Sequence, residues 1–253
     1  MLQRDEIVPV LHHALEALPC VDAAFLAGSE AFGRQDRYSD IDFNCIASQK
    51  DAGQIFAAAE AALESLSPIA LKLEMPANAA WPGLSQRFYR LRDTDEFLMI
   101  DFCQLSHELA PTFLEPVRHG TPVVLFDRKQ CLKPVPLNRA DHAALVARRL
   151  AWLRASFPMF QNLVRKAVLR GDDVEATAMW MGQTLRPLVD LLRIRHNPER
   201  FDYGLRYTGY DLPQSARLEL NALLWPRDGQ DLLHKLEAAS ALFKRTLAEL
   251  EKS

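Results

Sequence analysis

Gly28-Ser29-Glu30-Ala31-Phe32-Gly33-Arg34-Gln35-Asp36-Arg37-Tyr38-Ser39-Asp40-Ile41-Asp42-Phe43 is the stretch on which the fold and the chemistry turn. Val21 to Ala27, just before it, is a short apolar run that ends at a glycine, the pattern of a buried strand. Residues 40–47, Asp-Ile-Asp-Phe-Asn-Cys-Ile-Ala, alternate in character and predict a second strand. Between the two strands Gly28 and Ser29 open a turn or short helix. A glycine lets the backbone approach a ligand closely. Amides at a helix start are unpaired donors that suit phosphate oxygens. Ser29 adds a hydroxyl, and Gly33 permits a second tight turn.

Asp40 and Asp42 are separated by one residue. Strand geometry puts both carboxylates on one face and Ile41 and Phe43 on the other. Two like charges so placed are costly unless a cation compensates them. Mg²⁺ suits the position, because it takes one or two carboxylates together with substrate phosphates. Two such ions can clamp the attacking and the leaving oxygen of an in-line displacement. A third carboxylate is expected from a neighbouring strand. Asp101 lies within an otherwise apolar run over 96–105, where an unpaired buried carboxylate would be expensive. A metal site beside it supplies the partner.

Working outward, residues 2–18 predict an amphipathic helix closed by Pro19, and 51–66 a second, Ala-rich one. Strands are expected within 68–75, over 86–92 and 96–105 around a turn at Asp93-Thr94-Asp95, and over Val123 to Phe126. The pattern changes near Lys133-Pro134-Val135-Pro136, a linker. Beyond it helices are expected over 139–157, 159–170, 173–195, 213–224 and 229–251. A structured loop, His196-Asn-Pro-Glu-Arg-Phe-Asp-Tyr-Gly-Leu-Arg-Tyr-Thr-Gly-Tyr-Asp-Leu-Pro213, separates the third from the fourth. The expected fold class is α+β: a small mixed sheet with flanking helices, residues 1–136, followed by an all-α helical bundle, residues 137–253, that closes over it.

The chain has 253 residues, with 49% hydrophobic and 25% charged, a soluble globular composition. Its 30 basic and 33 acidic residues give a net charge of −3, which disfavours a nucleic-acid partner. Cys20, Cys45, Cys103 and Cys131 show no paired spacing and read as reduced core thiols. The start of the chain carries charges and no apolar core of a signal peptide, and no run reaches a membrane span, so a cytoplasmic protein is expected.

The pattern Gly28-Ser29, Gly33, Ser39-Asp40-x-Asp42 and a later strand aspartate resembles the nucleotidyltransferase superfamily typified by DNA polymerase β. The resemblance spans roughly residues 21–105, with every fixed position of the signature present. It implies that Asp40, Asp42 and Asp101 hold the catalytic metals, one or two Mg²⁺ ions. It also implies that Gly28, Ser29 and Ser39 serve the nucleoside triphosphate, ATP before others. In size and in its helical second half the chain is similar to the aminoglycoside and lincosamide nucleotidyltransferases. That similarity implies a small-molecule acceptor hydroxyl, an antibiotic in those enzymes, and a role in resistance. A protein or RNA acceptor, or a non-catalytic regulatory module of the kind found in toxin–antitoxin pairs, are the rival readings. The resemblance also implies a homodimer.

Other residues weigh less. Asp101 ranks first as general base. Glu96, read on the opposite face of that strand, is poorer, and Glu175 and Asp190 read as solvated helix charges or helix-end partners. Arg206 suits bidentate phosphate binding and Tyr207 stacking on a base, against packing of the loop onto the bundle. Arg165 and Lys166 read as exposed cations. Arg34 and Arg37 either touch phosphate or are solvated. Trp152, Trp180 and Met181 fall on helical spacing and are expected in the core. Trp81 is expected to pack rather than line a pocket. The seven histidines show no metal-ligand spacing.

Overall fold

The computed structural model describes residues 1–76 and 81–252. Two compact units are formed, Met1–Leu137 and Asn138–Ser253. The first contains α1 (Arg4–Glu16), β1 (Val21–Leu26), α2 (Gly28–Ala31), β2 (Ile41–Ala47), α3 (Ala52–Glu64), β3 (Ile69–Glu74), β4 (Leu84–Leu91), β5 (Ile100–Leu105), α4 (Pro116–His119) and β6 (Val123–Asp127). Its strands make one six-stranded sheet in the order β3-β4-β5-β2-β1-β6. β2 and β5 run parallel, and the other pairs run antiparallel.

Alternation along the central strands explains the layers. Ile41, Phe43, Ile100 and Phe102 point to one face, where they meet Ile7, Leu11 and Leu15 of α1 and Ile55, Phe56, Ala59 and Leu63 of α3. The α1 residues recur every four positions, one stripe of a helix. Its first turn is fixed by Glu6, which accepts a hydrogen bond from the Gln3 N–H at 2.8 Å. The opposite face is apolar at one end only, where Ala23, Phe25, Ile46, Leu84 and Leu105 pack under Leu109, Leu114 and Leu132. The other end of that face carries polar side chains.

The second unit is helical: α5 (Arg139–Arg170), α6 (Asp173–Met179), a π-helical stretch (Trp180–Leu185), α7 (Arg186–His196), α8 (Thr208–Asp211), α9 (Gln214–Leu223) and α10 (Gly229–Leu250). Its core is built from Leu153, Phe157, Trp180, Leu188, Leu191, Leu236 and Phe243 among others, with Phe157 stacked on Phe243 at 3.7 Å between centroids. Two helices expected over 139–157 and 159–170 are one. Pro158 lies inside α5 and does not end it. The ring removes one backbone donor and disfavours the turn before it, but packing on both sides carries the helix through. The expected helix over 173–195 holds as a run, with the π-helical stretch in its middle, a one-residue excess that periodicity does not reveal.

Two core assignments are corrected. Trp152 is 57% exposed and Met181 41% exposed, because both lie on outer faces of their helices. Trp180 is buried, as its spacing predicts. Glu96 stands in the turn before β5, since the strand begins only at Ile100, so it has no strand face. Asp190 is a buried residue paired with Arg149, rather than a solvated charge.

Candidate active site

The polar end of the sheet is built by register. Asp42 of β2 lies directly opposite Asp101 of β5 in the parallel pair, with Phe43 opposite Phe102 one step on. Because both strands alternate in phase, the two carboxylates share the face that the helices α1 and α3 leave uncovered. Phe88 of β4 faces Asp101 from the other side, and Gln86, two residues before it, donates through Nε2 to Asp101 Oδ1 at 2.7 Å. Cys103 donates from Sγ to the same oxygen at 3.4 Å. Burial, reinforced by the Asp101 carboxylate, pushes the Cys103 thiol well above its ordinary value, so it stays protonated and can donate.

Gly28 closes the opposite flank. Its φ is +57°, and a Cβ there would come within 1.7 Å of Asp42 Oδ2 and 2.4 Å of Asp42 Cγ. The backbone of the turn therefore lies directly on the carboxylate, which only glycine permits on both counts. The Ala27 N–H donates to the Asp42 carbonyl at 3.0 Å and ties the turn to β2. Gly33, at φ +62°, makes the second turn with open space around it.

Asp40 precedes β2 by one residue, and its neighbour Ile41 donates its N–H to the Met99 carbonyl at 2.9 Å. The segment is anchored by a residue that sequence reasoning did not single out. Arg4, in the first turn of α1, donates to the Ser39 carbonyl at 2.8 Å and to the Asp40 carbonyl, and it forms an ion pair with Glu30 of α2. Burial pulls the Arg4 guanidinium below its ordinary value, and the carboxylates of Asp42, Asp40 and Asp5 oppose that pull. One guanidinium thus fixes both ends of the loop and lies in the field of both aspartates. No spacing links residue 4 to residue 40, so no local signal announces it. Gln86 was equally silent, since a polar residue on a strand is ordinary.

The Ser39 hydroxyl is engaged in the loop itself: it donates to Asp36 Oδ1 at 3.0 Å and accepts from the Asp36 N–H at 2.9 Å. Ser29 donates to Glu30 Oε2 at 3.3 Å. Arg34 stacks on the Phe32 ring at 4.8 Å, and Arg37 on the Tyr38 ring at 4.7 Å.

Arg206 and Tyr207 belong to the helical unit. Arg206 donates to the Tyr207 hydroxyl at 2.8 Å and lies over its ring. Tyr207 has φ +58°. Their backbone is set by Arg193 of α7, which is fully buried and donates to the carbonyls of Gly204 at 2.9 Å and Arg206, and to Asp211 at 2.5 Å. Arg193 was not singled out from the sequence. Glu175 is exposed in the first turn of α6.

The donor set of the first unit can be tested against a divalent cation. Among the described residues no three His, Cys, Asp or Glu side chains converge as a complete metal cage. An in-register pair of carboxylates beside a half-buried glycine turn is the smaller share of ligands that a protein gives to Mg²⁺, the rest being water and phosphate oxygens. The residues present fit that ion.

No family model matches the chain, and no curated protein matches it. Solved structures do. An aminoglycoside 6-adenyltransferase from Bacillus subtilis is similar over 100% of this chain and 91% of its own, at 12% identity and a TM-score of 0.40. A nucleotidyltransferase-like protein from Exiguobacterium sibiricum is similar over 96% and 75%, at 12% identity and a TM-score of 0.36. A spectinomycin adenyltransferase from Enterococcus faecialis, solved with ATP and spectinomycin, is similar over 98% and 100%, at 10% identity and a TM-score of 0.37. Among the described residues no helix is long and apolar enough to cross a membrane.

Proposed function

We propose that this chain is a Mg²⁺-dependent nucleotidyltransferase that moves AMP from ATP onto a hydroxyl of a small molecule, with an antibiotic as the first acceptor class to screen. The observation that carries this reading is the in-register pair Asp42 and Asp101, with the backbone of Gly28 seated against the Asp42 carboxylate. Asp42 and Asp101, with Asp40 at the same sheet end, would hold the ion. A bound Mg²⁺ would neutralise charge on the transferring phosphoryl group and on the oxygens entering and leaving it.

The chain's own residues do the remaining work. The turn at Gly28 and Ser29 lies against the Asp42 carboxylate, and its main-chain N–H groups would receive phosphate oxygens there. Gln86 holds one oxygen of Asp101 and so fixes how the carboxylate is turned. The acceptor oxygen attacks the α-phosphorus, the bond from the α-phosphorus to the bridging oxygen breaks, and pyrophosphate leaves with that electron pair. The hydroxyl proton would pass to Asp101, the sheet carboxylate ranked first as general base. Arg4 keeps the loop that carries Glu30 and Asp40 in place.

The test is binding of ATP and GTP followed by thermal shift, with and without Mg²⁺, on the wild type and on the Asp40→Asn/Asp42→Asn variant. A ligand that binds only the folded state raises its melting temperature. The expected result is a Mg²⁺-dependent rise with ATP that the double variant loses. Absence of any rise with either triphosphate would overturn the reading.

A further inference from the structure

We propose a second binding site, in the helical unit, for a planar aromatic molecule bearing a single negative charge. Leu145, Arg148, Arg149 and Trp152 of α5, with Phe201 of the loop after α7, line an open cavity of about 330 Å³. The four α5 residues recur at three- and four-residue intervals, so they form one stripe of the helix. Such a stripe ordinarily packs against a neighbour. Here Leu145 is 42% and Trp152 57% exposed, whereas Phe201 is only 8% exposed and forms the floor. An exposed indole and a buried phenyl ring lining one cavity make a slot for a flat, apolar body.

The two arginines give the slot its charge preference. Arg149 is already neutralised: it donates to Asp190 through Nε at 3.1 Å and through a terminal nitrogen at 2.5 Å, and Asp190 is buried behind it. Arg148 takes part in no hydrogen bond or ion pair among the described residues. One uncompensated guanidinium beside an indole balances one negative charge, which a planar fork meets best on a carboxylate. A triphosphate carries more charge than the slot can neutralise. The site is separate in residues from the carboxylate pair, and it stands whether or not the chain transfers nucleotides.

Isothermal titration with 2-naphthoate, against the uncharged 2-naphthalenemethanol, tests the proposal on the full chain. The expected result is naphthoate binding with at least tenfold preference over the alcohol. Arg148→Gln and Trp152→Ala should each weaken it at least tenfold, while Trp152→Phe retains most of it. Both side chains are exposed, so the melting temperatures of these variants should match the wild type, which separates lost binding from lost folding. Binding unchanged by either substitution, or equal binding of the alcohol, would overturn the site. ATP should not displace naphthoate; displacement by ATP that disappears in Arg148→Gln would overturn the single-charge assignment.

Discussion

At the scale of the residue, two glycines with nearly the same backbone make opposite predictions. Gly28 and Gly33 have φ of +57° and +62°, a region in which a side chain is strained by about 1 kcal/mol or more. A methyl group at residue 33 meets nothing within 4 Å, whereas one at residue 28 overlaps the Asp42 carboxylate. Gly33→Ala should therefore lower stability by about 1 kcal/mol and leave Mg²⁺-dependent ATP binding in place. Gly28→Ala should lower stability by more than that, because strain and overlap add, and should abolish the ATP-dependent thermal shift. Melting curves of both variants with and without MgATP make the comparison. Retention of a full shift in Gly28→Ala would refute the placement of phosphate at this turn. Gln86 makes a subtler case. Gln86→Leu removes the donor to Asp101 and keeps the side-chain volume, so the fold should survive with transfer slowed about tenfold, a loss of roughly 1.4 kcal/mol in transition-state stabilisation.

At the scale of the element, Arg193 decides whether the loop between α7 and α9 has one conformation. Its guanidinium is sealed from solvent and reaches the Gly204, Arg200 and Arg206 carbonyls and the Asp211 carboxylate. Arg200 also lies near Asp211, at 3.4 Å. Removing one partner from such a buried arrangement leaves the other charge uncompensated, at a cost of about 3–5 kcal/mol. Arg193→Met should unfold the loop or the whole helical unit, and Arg193→Lys should rescue little, since an ammonium cannot span the same acceptors. Denaturant midpoints of the two variants measure this. A change within experimental error in Arg193→Met would show that the acceptors find water instead. α5 makes the reverse prediction. Pro158 sits inside a continuous helix, where the ring costs hydrogen bonding and packing of the preceding turn. Pro158→Ala should stabilise the chain by about 1 kcal/mol or more, read as a higher midpoint.

At the scale of the whole molecule, what was legible depended on range. The strand order cannot be read from periodicity, but the period itself placed Asp42 and Asp101 on strands, and their pairing followed once β2 and β5 ran parallel in register. The alternation that put Asp40 and Asp42 on one face reached only as far as the strand, which begins at Ile41, so Asp40 depends on Arg4 instead. Arg4, Gln86 and Arg193 act through partners far off or through a loop fold, and no local pattern encodes that. Trp152 and Met181 showed the converse: helical spacing marks a face without saying whether anything covers it. The same long-range pairing governs acid stability. Burial alone would raise Glu60 of α3, but hydrogen bonds from Lys72, Tyr89 and Arg87 on β3 and β4 more than offset it and hold the carboxyl below its usual range. Burial likewise opposes, and hydrogen bonds from Lys129 and His107 outweigh it, at Asp22 of β1, which also sits below its ordinary value. A depressed carboxyl stabilises the fold in full above its unfolded value, near 4.5 for Glu60 and 3.8 for Asp22, and the contribution disappears as pH falls through the folded value. Stability of the sheet unit should therefore stay level with respect to these two groups from neutrality to about pH 5 and fall steeply below about pH 4. In Glu60→Gln the neutral-pH midpoint should drop while the acid slope becomes shallower, because the variant has lost the group whose protonation produces it. Denaturant melts at pH 7, 5, 4 and 3 on both proteins measure the slope. Parallel slopes would place the acid-sensitive carboxylates elsewhere in the sheet.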